Sequence, residues 1–454
     1  MEGHEGQTNR VDASKGALFV LFLVTMIDMI GFGIVIPFLT YLVEDLAGEQ
    51  DVASIGIWVG LLMTSYSAAQ FLFSPIWGAL SDRIGRRPVL MIGLIGNTVF
   101  FTMFGLANTL VMALIARFLA GVFNGNIAVA RAYIGDVSNP QQLATRMGLI
   151  GAAFGLGFTI GPFLGGELSA PAERWDLFKD TVFETYPYLL PCVLASVLSI
   201  ISLLFAFKSL PESLPVNRRV IDKSRSWSST MKNSFRNVKT MIGTKQIGSV
   251  MWVTFLFMFG FTIMHAVFIL YTQMDPASGG LGFSEAENGR IFALIGVLGI
   301  FTQGGLIGPL SRKYGSVFIL RFGAVLAGIG LVLVPYSSAD HVWLWLFPIT
   351  GFIAIGNGLF QPSSSTLLTA ISRQEGYELG TVMGAQESLS SFARILGPLT
   401  GGYVWTKTVG RTDFLDYHTA FHLCGVMMLC AFLLSLRISF QPSWKQSEEE
   451  LPSR

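Results

Sequence analysis

The sequence GPFLGG at residues 161–166 recurs as GPLTGG at residues 397–402. A Met-Gly pair precedes each copy, at residues 147–148 and 383–384, and twelve residues separate the pair from the first glycine in both places. A weaker match relates GALSDRIG at residues 78–85 to GPLSRKYG at residues 308–315, where the acidic residue is lost. These matches predict a chain built from two related halves.

The composition predicts that most of the chain lies in lipid. Of its residues, 52% are hydrophobic and 13% are charged, whereas soluble domains contain about 25% charged residues. The formal net charge of +1 excludes a strongly basic nucleic-acid-binding protein. Cys192, Cys424 and Cys430 lie in apolar segments without metal-ligand spacing or a disulfide pattern, so we expect them to pack in the interior.

Twelve apolar runs are long enough to cross a bilayer, which takes about 20 residues at a rise of 1.5 Å each. These spans 1 to 12 cover residues 16–43, 54–80, 88–107, 109–136, 143–168, 188–207, 248–271, 284–309, 317–336, 342–371, 379–405 and 415–438. We therefore predict an all-α membrane protein with twelve transmembrane helices in two pseudo-symmetric six-helix bundles.

A long polar segment at residues 208–246 separates six spans from the other six. The predicted domains are an N-terminal tail at residues 1–15, bundles at residues 16–207 and 247–440, the basic linker at residues 208–246, and a C-terminal tail at residues 441–454. We interpret the linker as a connection between the bundles. Binding of its basic residues to anionic lipid is the alternative.

Basic residues are concentrated in the loops that follow even-numbered spans, which predicts that these loops and both termini are cytoplasmic. Examples are Arg146, Lys208, Arg312, Lys313 and Arg373. Loops after odd-numbered spans are acidic or nearly uncharged. We expect a plasma or inner membrane, with an organelle membrane as the alternative.

The segment GALSDRIGRRP at residues 78–88 resembles the loop between spans 2 and 3 of the major facilitator superfamily. DMIGFGIVIP at residues 28–37 resembles the first-span signature, and Arg117 with Gly121 and Gly125 resembles the fourth-span motif. The resemblance covers the whole chain except its tails, and is greatest to twelve-span drug/proton antiporters of the tetracycline-resistance type. It implies the major facilitator fold and alternating access around a central cavity.

The same resemblance implies two motifs with mechanical roles. One is a gating loop that latches the outward-open state in the family, and the other is a fifth-span motif of exporters. Helix capping and topology explain the gating-loop charges in part, and generic helix packing explains Gly and Pro equally well. The gating residues are Gly78, Asp82, Arg83, Gly85, Arg86, Arg87 and Asp136, and the antiporter-type motif is Gly157, Gly161, Pro162, Gly165 and Gly166.

Ionisable residues inside the membrane are candidates for proton coupling, because a charge at the bilayer centre costs about 3 kcal/mol or more. Asp28 lies about eleven residues into span 1, roughly 16 Å deep. We predict Asp28 as the principal proton or cation site, Arg117 as its charge partner and Glu387 as a second acidic site. The alternatives are a static ion pair between Asp28 and Arg117, and a polar neighbour such as Gln303 for Glu387.

Uncharged polar residues at membrane depth are candidates for a substrate cavity, or serve only to hold helices together. Asn124 is seven residues from Arg117 and is therefore expected on the same helix face. His265 is expected to be structural or to line the cavity. The candidate cavity residues are Gln70, Asn124, Asn126, His265, Gln303, Asn357 and Gln361.

The prediction is a proton-coupled antiporter that exports small amphipathic organic molecules by alternating access and functions as a monomer in the lipid bilayer. The alternatives are an importer or facilitator of a sugar, organic acid or other metabolite, and a receptor or scaffold on the same fold. We find no phosphate-binding loop, nucleophile motif or metal-ligand cluster in the sequence, and so expect no enzyme activity, cofactor, metal or nucleic-acid partner.

Overall fold

The structure, a computed structural model, describes residues 15–48, 52–138, 140–214, 236, 238–337, 341–377, 379–411 and 415–439. Within these ranges the regular structure is helical, without strands. The predicted all-helical architecture is therefore confirmed. Most of the predicted basic linker and both tails lie outside the described residues.

Two compact units divide the described chain. The first contains the described residues up to Leu214 together with Gly282–Gly296, and the second contains Arg236 to Leu281 and the described residues from Val297 onward. Helices of the first part are α1 Lys15–Ile34, α2 Leu39–Ala47, α3 Val52–Ile84, α4 Arg86–Gly105, α5 Leu110–Phe123, α6 Asn126–Val137, α7 Pro140–Leu168, α8 Pro171–Arg174, α9 Val182–Thr185 and α10 Leu189–Ser209.

The remaining helices follow residue 244. They are α11 Lys245–Gln273, α12 Glu285–Phe301, α13 Ile307–Tyr314, α14 Ser316–Leu333, α15 Val342–Gln374, α16 Leu379–Thr408 and α17 His418–Ser435. Residues Glu285–Gly296 of α12 belong to the first unit. The predicted domain boundaries at residues 207 and 247 stay a prediction.

Ten helical segments among the described residues are long and apolar enough to cross a membrane. They correspond to predicted spans 1 to 4, 6 to 10 and 12. Predicted spans 5 and 11 correspond to α7 and α16, which contain 29 and 30 residues and so exceed the roughly 20 that a crossing needs. The prediction of a multi-pass membrane protein is confirmed.

Three predicted spans are not single regular helices. Span 1 is interrupted by a 3-10 turn at Ile36–Phe38, where Pro37 cannot donate a backbone hydrogen bond. Span 4 breaks at Asn124 and Gly125, between α5 and α6. Span 8 passes through a π-helical turn at Thr302–Leu306, between α12 and α13. Sequence hydropathy does not report such local changes in backbone geometry.

Glycines bring the backbones of α7 and α1 into direct contact. A Cβ atom at Gly157 would lie 2.6 Å from the carbonyl oxygen of Met26, and one at Gly161 would lie 2.7 Å from that of Ile30. A Cβ atom at Gly165 would overlap the Ile34 carbonyl. Any side chain at these positions would push the helices apart, which explains why small residues recur at four-residue steps.

The second copy of the repeat makes the corresponding contact between α16 and α11. A Cβ atom at Gly397 would overlap Oγ1 of Thr262, and one at Gly401 would lie 3.0 Å from the Ile263 carbonyl oxygen. The Thr262 hydroxyl donates to the Ala393 carbonyl at 3.1 Å. The repeated sequence thus encodes the same close helix packing in both units.

We expect Gly165→Ala to lower the melting temperature of the purified protein, because the added methyl group overlaps the Ile34 carbonyl. Overpacking of this kind costs about 1–3 kcal/mol. Gly155→Ala on the same helix is the matched control, since no heavy atom outside its own helix lies within 4 Å of a Cβ there. Thermal unfolding in detergent tests the difference, and equal melting temperatures for both variants would contradict it.

Candidate functional site

Asp28 is completely buried on α1 and has two amide partners. Its Oδ1 accepts hydrogen bonds from Nδ2 of Asn97 on α4 at 2.7 Å and from Nδ2 of Asn126 on α6 at 3.2 Å. Its Oδ2 is also buried and has no hydrogen-bond partner. The absence of a side chain at Gly93 makes room for Asn126, which a Cβ atom there would overlap. Among the described residues, the hydrogen-bond partners of Asp28 are therefore neutral.

Arg117 on α5 is buried against aromatic rings rather than against a carboxylate. Its guanidinium carbon lies 4.6 Å from the ring centroid of Tyr66 and 5.7 Å from that of Phe104. Its Nε and Nη1 atoms are buried without a hydrogen-bond partner. Asp28 and Arg117 form no ion pair in this structure, so the static-pair alternative is not what is observed.

Tyr66 connects Arg117 with two of the predicted cavity residues. Asn124 donates a hydrogen bond from Nδ2 to the Tyr66 hydroxyl, and Gln70 donates from Nε2 to Oδ1 of Asn124 at 3.3 Å. Although α5 ends at Phe123, Asn124 remains close enough to share Tyr66 with Arg117. Asn126, predicted for the cavity, instead contacts Asp28.

The predicted site residues that follow residue 244 have different contacts and do not form one cluster among the described contacts. Nη2 of Arg394, two turns along α16, forms an ion pair with Oε1 of Glu387 at 2.8 Å, so Arg394 is one partner of Glu387, and the sequence did not predict it. His265 is buried with its ring edge-on to Phe261. Gln303 lies exposed in the π-helical turn. The side-chain oxygen Oδ1 of Asn357 is buried without a hydrogen-bond partner. Nε2 of Gln361 lies 2.7 Å from the sulfur of Met258.

The predicted gating loop contains a charge network centred on Arg86, which begins α4. Its Nη1 lies 2.7 Å from Oδ1 of Asp82, and its Nε donates to Oδ2 of Asp136 at 3.0 Å. The Ser81 hydroxyl accepts another bond from Nη1 at 2.6 Å. Asp82, Arg86 and Asp136 are therefore brought together as one network.

Glu212, beyond the end of α10, anchors the first turn of α4. Its two carboxylate oxygens accept hydrogen bonds from the backbone N–H groups of Arg86 at 2.8 Å and Arg87 at 3.2 Å. A carboxylate is favoured there because the first N–H groups of a helix have no partner within the helix. Two features require glycine at position 85: its φ of 108° is one that other residues rarely adopt, and a Cβ atom there would overlap the Glu212 carboxylate.

Sequence reasoning missed several residues of these clusters, among them Asn97, Arg394, Tyr66, Ser81 and Glu212. Asn97 was detectable as a polar residue in the middle of span 3, and Arg394 as a charge within span 11. Tyr66 and Glu212 carry no such signal, because their partners are distant in sequence. Ser81 lies in the recognised loop, five residues before its partner Arg86, but a serine there does not stand out as a site residue. The missing residues were thus mainly those whose role depends on tertiary contact.

The sequence matches the family model described as Major Facilitator Superfamily over residues 21–398 and again over residues 304–453. The chain belongs to the major facilitator superfamily. The predicted resemblance and fold are confirmed, and the chain is a transporter rather than an enzyme. Transporters of this superfamily carry small organic substrates.

Three similar proteins illustrate this relationship. The tetracycline resistance protein, class C, of Escherichia coli is 29% identical over 85% of this chain and 89% of its own length. A probable peptide/nitrate transporter of Arabidopsis thaliana is 27% identical over 87% and 84%. The crystal structure of the human organic anion transporter MFSD10 (TETRAN) superposes with a TM-score of 0.66 at 23% identity, covering 93% of this chain and 99% of that one, which shows the shared fold.

We expect Glu212→Ala to destabilise the first unit, because two backbone N–H groups at the start of α4 lose their acceptors. Each charge-assisted bond contributes about 1.5–3 kcal/mol, less where water reaches the group. Glu212→Gln keeps one acceptor oxygen and should have an intermediate melting temperature. Exposed Glu173→Ala is the control, and a Glu212→Ala variant as stable as this control would refute the anchoring role.

Proposed function

We propose that this protein is a proton-coupled antiporter that exports small amphipathic organic molecules, with Asp28 as the proton site. One observation carries the proposal. Asp28 is fully buried, its hydrogen-bond donors are two neutral amides, and none of the described basic side chains forms an ion pair with it. A carboxylate in such a place is costly unless it is protonated or water reaches it. Its protonation can therefore follow the access of water during a transport cycle.

Arg117 supports the proposal as a second buried charge in the same unit. Its guanidinium contacts the faces of Tyr66 and Phe104, which stabilise a cation without removing its charge. Because Nε and Nη1 have no hydrogen-bond partner, Arg117 is available to bind an acceptor in another state of the cycle. We propose that Arg117 responds to the charge of Asp28 through a rearrangement rather than through a permanent ion pair.

Export is supported by the fifth-span motif and by one relative. Gly157, Gly161 and Gly165 hold α7 against the part of α1 that carries Asp28. The relative named a tetracycline resistance protein matches most of this chain. We propose tetracycline as a first probe of transport, while an importer of metabolites remains the rival that a direction measurement decides.

The remaining predicted roles are proposals about the conformational cycle. The network of Asp82, Arg86 and Asp136 would act as the gate, since its charges are paired across three helical segments. Glu387 would act as a second acidic site, with Arg394 as its partner. Both termini would be cytoplasmic, as the distribution of basic residues suggests.

Substrate-driven proton release is expected from the wild type and not from Asp28→Asn. In acidified inside-out vesicles, added tetracycline should enter the lumen in exchange for protons, and a pH-sensitive dye should report this release. Asp28→Asn cannot bind a proton and should reduce the signal to that of vesicles without the protein.

Asp176→Asn is the matched control, because the Asp176 side chain is 91% exposed and pairs only with exposed Lys179 at 2.7 Å among the contacts described. It should retain the wild-type response. Undiminished proton release from Asp28→Asn would remove Asp28 from the coupling mechanism.

The direction of transport gives a further prediction. Cells that produce the wild-type protein should accumulate less tetracycline than cells that carry an empty vector, because export is driven by proton entry. Asp28→Asn should return accumulation to the empty-vector level. Higher accumulation with the wild type would instead favour the importer.

A further inference from the structure

Asp28 and Asn97 form a pair in which half of the possible hydrogen bonds are made. Nδ2 of Asn97 donates to Oδ1 of Asp28 at 2.7 Å, and both side chains have 0% exposure. The other oxygen of each group, Oδ2 of Asp28 and Oδ1 of Asn97, is buried without a hydrogen-bond partner. Two acceptor oxygens on one bonded pair therefore lack a donor.

A carboxylic acid and a primary amide can exchange two hydrogen bonds. The amide N–H donates to one carboxyl oxygen, and the carboxyl O–H donates to the amide oxygen. The first bond is present between Asn97 and Asp28. A proton on Oδ2 of Asp28 supplies the donor for the second, and one new bond then satisfies both unpartnered oxygens. Without that proton, both remain buried acceptors, an arrangement that proteins generally avoid.

Charged groups nearby do not replace this proton. Helices α4, α6, α7 and α10 pack against α1, and Asp28 forms no ion pair with any of their described side chains. The ionisable residues of those helices among the described side chains are Arg86, Arg87, Arg131, Tyr133, Asp136, Arg146, Glu167, Cys192 and Lys208. The partners of Asp28 are thus the two amides, which can respond to its protonation only by hydrogen bonding.

We propose that Asn97 is the positioning residue for the transported proton, which it holds on Asp28 by completing an acid–amide ring. The proposal rests on the proposed role of Asp28 as the proton site. Asn126 differs because its bond to the same Oδ1 is longer, at 3.2 Å, and its amide oxygen is not among the buried oxygens that lack a partner. Asn126 stabilises Asp28 from one side, whereas Asn97 distinguishes its two protonation states.

An exchange of the two side chains tests this pairing. Asp28→Asn combined with Asn97→Asp keeps one acid and one amide at the same two positions, so the ring can form with their roles reversed. Tetracycline-driven proton release should be lost in Asp28→Asn. In the exchanged variant it should return to about tenfold above the release measured for Asp28→Asn. Asp28→Asn combined with Asn126→Asp is the matched control and should remain at the level of Asp28→Asn.

The outcomes separate this inference from the proposed function. If the exchange with Asn97 restores nothing, or if the control exchange restores as much, the positioning role of Asn97 is wrong while Asp28 remains the proton site. If Asp28→Asn alone keeps wild-type release, the proposed proton site itself is wrong.

Infrared difference spectroscopy of the purified protein tests the ring without transport, and applies even if an exchanged variant does not fold. The C=O stretch of protonated Asp28, identified by its loss in Asp28→Asn, should move to higher frequency in Asn97→Leu, where the carboxyl O–H has no amide acceptor. The shift in Asn126→Leu should be smaller. An unchanged frequency in Asn97→Leu, or no Asp28-dependent band at any pH at which the protein is folded, would overturn the proposal.

A sodium ion could also bind the two unpartnered oxygens, Oδ2 of Asp28 and Oδ1 of Asn97. The same infrared spectra distinguish a sodium ion from a proton. Replacing choline by sodium in the buffer should leave the Asp28 band unchanged. Loss of the band on addition of sodium would assign the unpartnered oxygens to a cation site and overturn the acid–amide ring.

Discussion

The contact between the backbones of α7 and α1 determines where the buried acid lies. A Cβ atom at Gly157 would lie 2.6 Å from the Met26 carbonyl oxygen, and one at Gly161 would lie 2.7 Å from the Ile30 carbonyl oxygen, so α7 packs closely on both sides of position 28. Because these contacts involve main-chain atoms, α1 cannot shift or rotate there without losing them. The fixed position of α1 directs Asp28 toward Asn97 and Asn126, the two amides on α4 and α6.

The ionisable residues of the first unit have two different kinds of surroundings. Around Arg86, charges meet charges: Asp82 and Asp136 compensate the guanidinium, and further hydrogen bonds leave the network well partnered. Around Asp28 and Arg117, the described contacts are with amides and aromatic rings, and several buried polar atoms have no hydrogen-bond partner. The first arrangement suits a stable contact, whereas the second suits groups that change partner or protonation state.

The sequence was sufficient for the helical membrane fold, the internal repeat and the family, because these depend on local hydropathy and on motifs with fixed spacing. It also singled out Asp28 and Arg117, since charges in apolar surroundings are conspicuous, whereas Asp82 and Asp136 were recognised through the family resemblance of the loop. It did not predict that Asn97 would contact Asp28. Such pairings are set by the rotation of packed helices, and a period of 3.6 residues does not specify which face meets which neighbour.

The helix breaks were missed for a related reason. Asn124 and Gly125 interrupt span 4 within a continuous apolar run, and Trp77 from α3 donates to the Val122 carbonyl at 2.5 Å just before the break. The carbonyl freed at the end of α5 is therefore supplied with a donor by another helix. A sequence read one segment at a time has no means of anticipating this compensation.

Glu212 also determines how mechanical load enters the first unit. The chain leaves α10 and is tied within a few residues to the start of α4 through Glu212, while Ser213 donates to Oδ2 of Asp136 at 3.0 Å and the Pro211 carbonyl accepts from Tyr133 at 2.9 Å. A pull on the connection that follows residue 214 is consequently borne by α4 and α6 before it reaches α10.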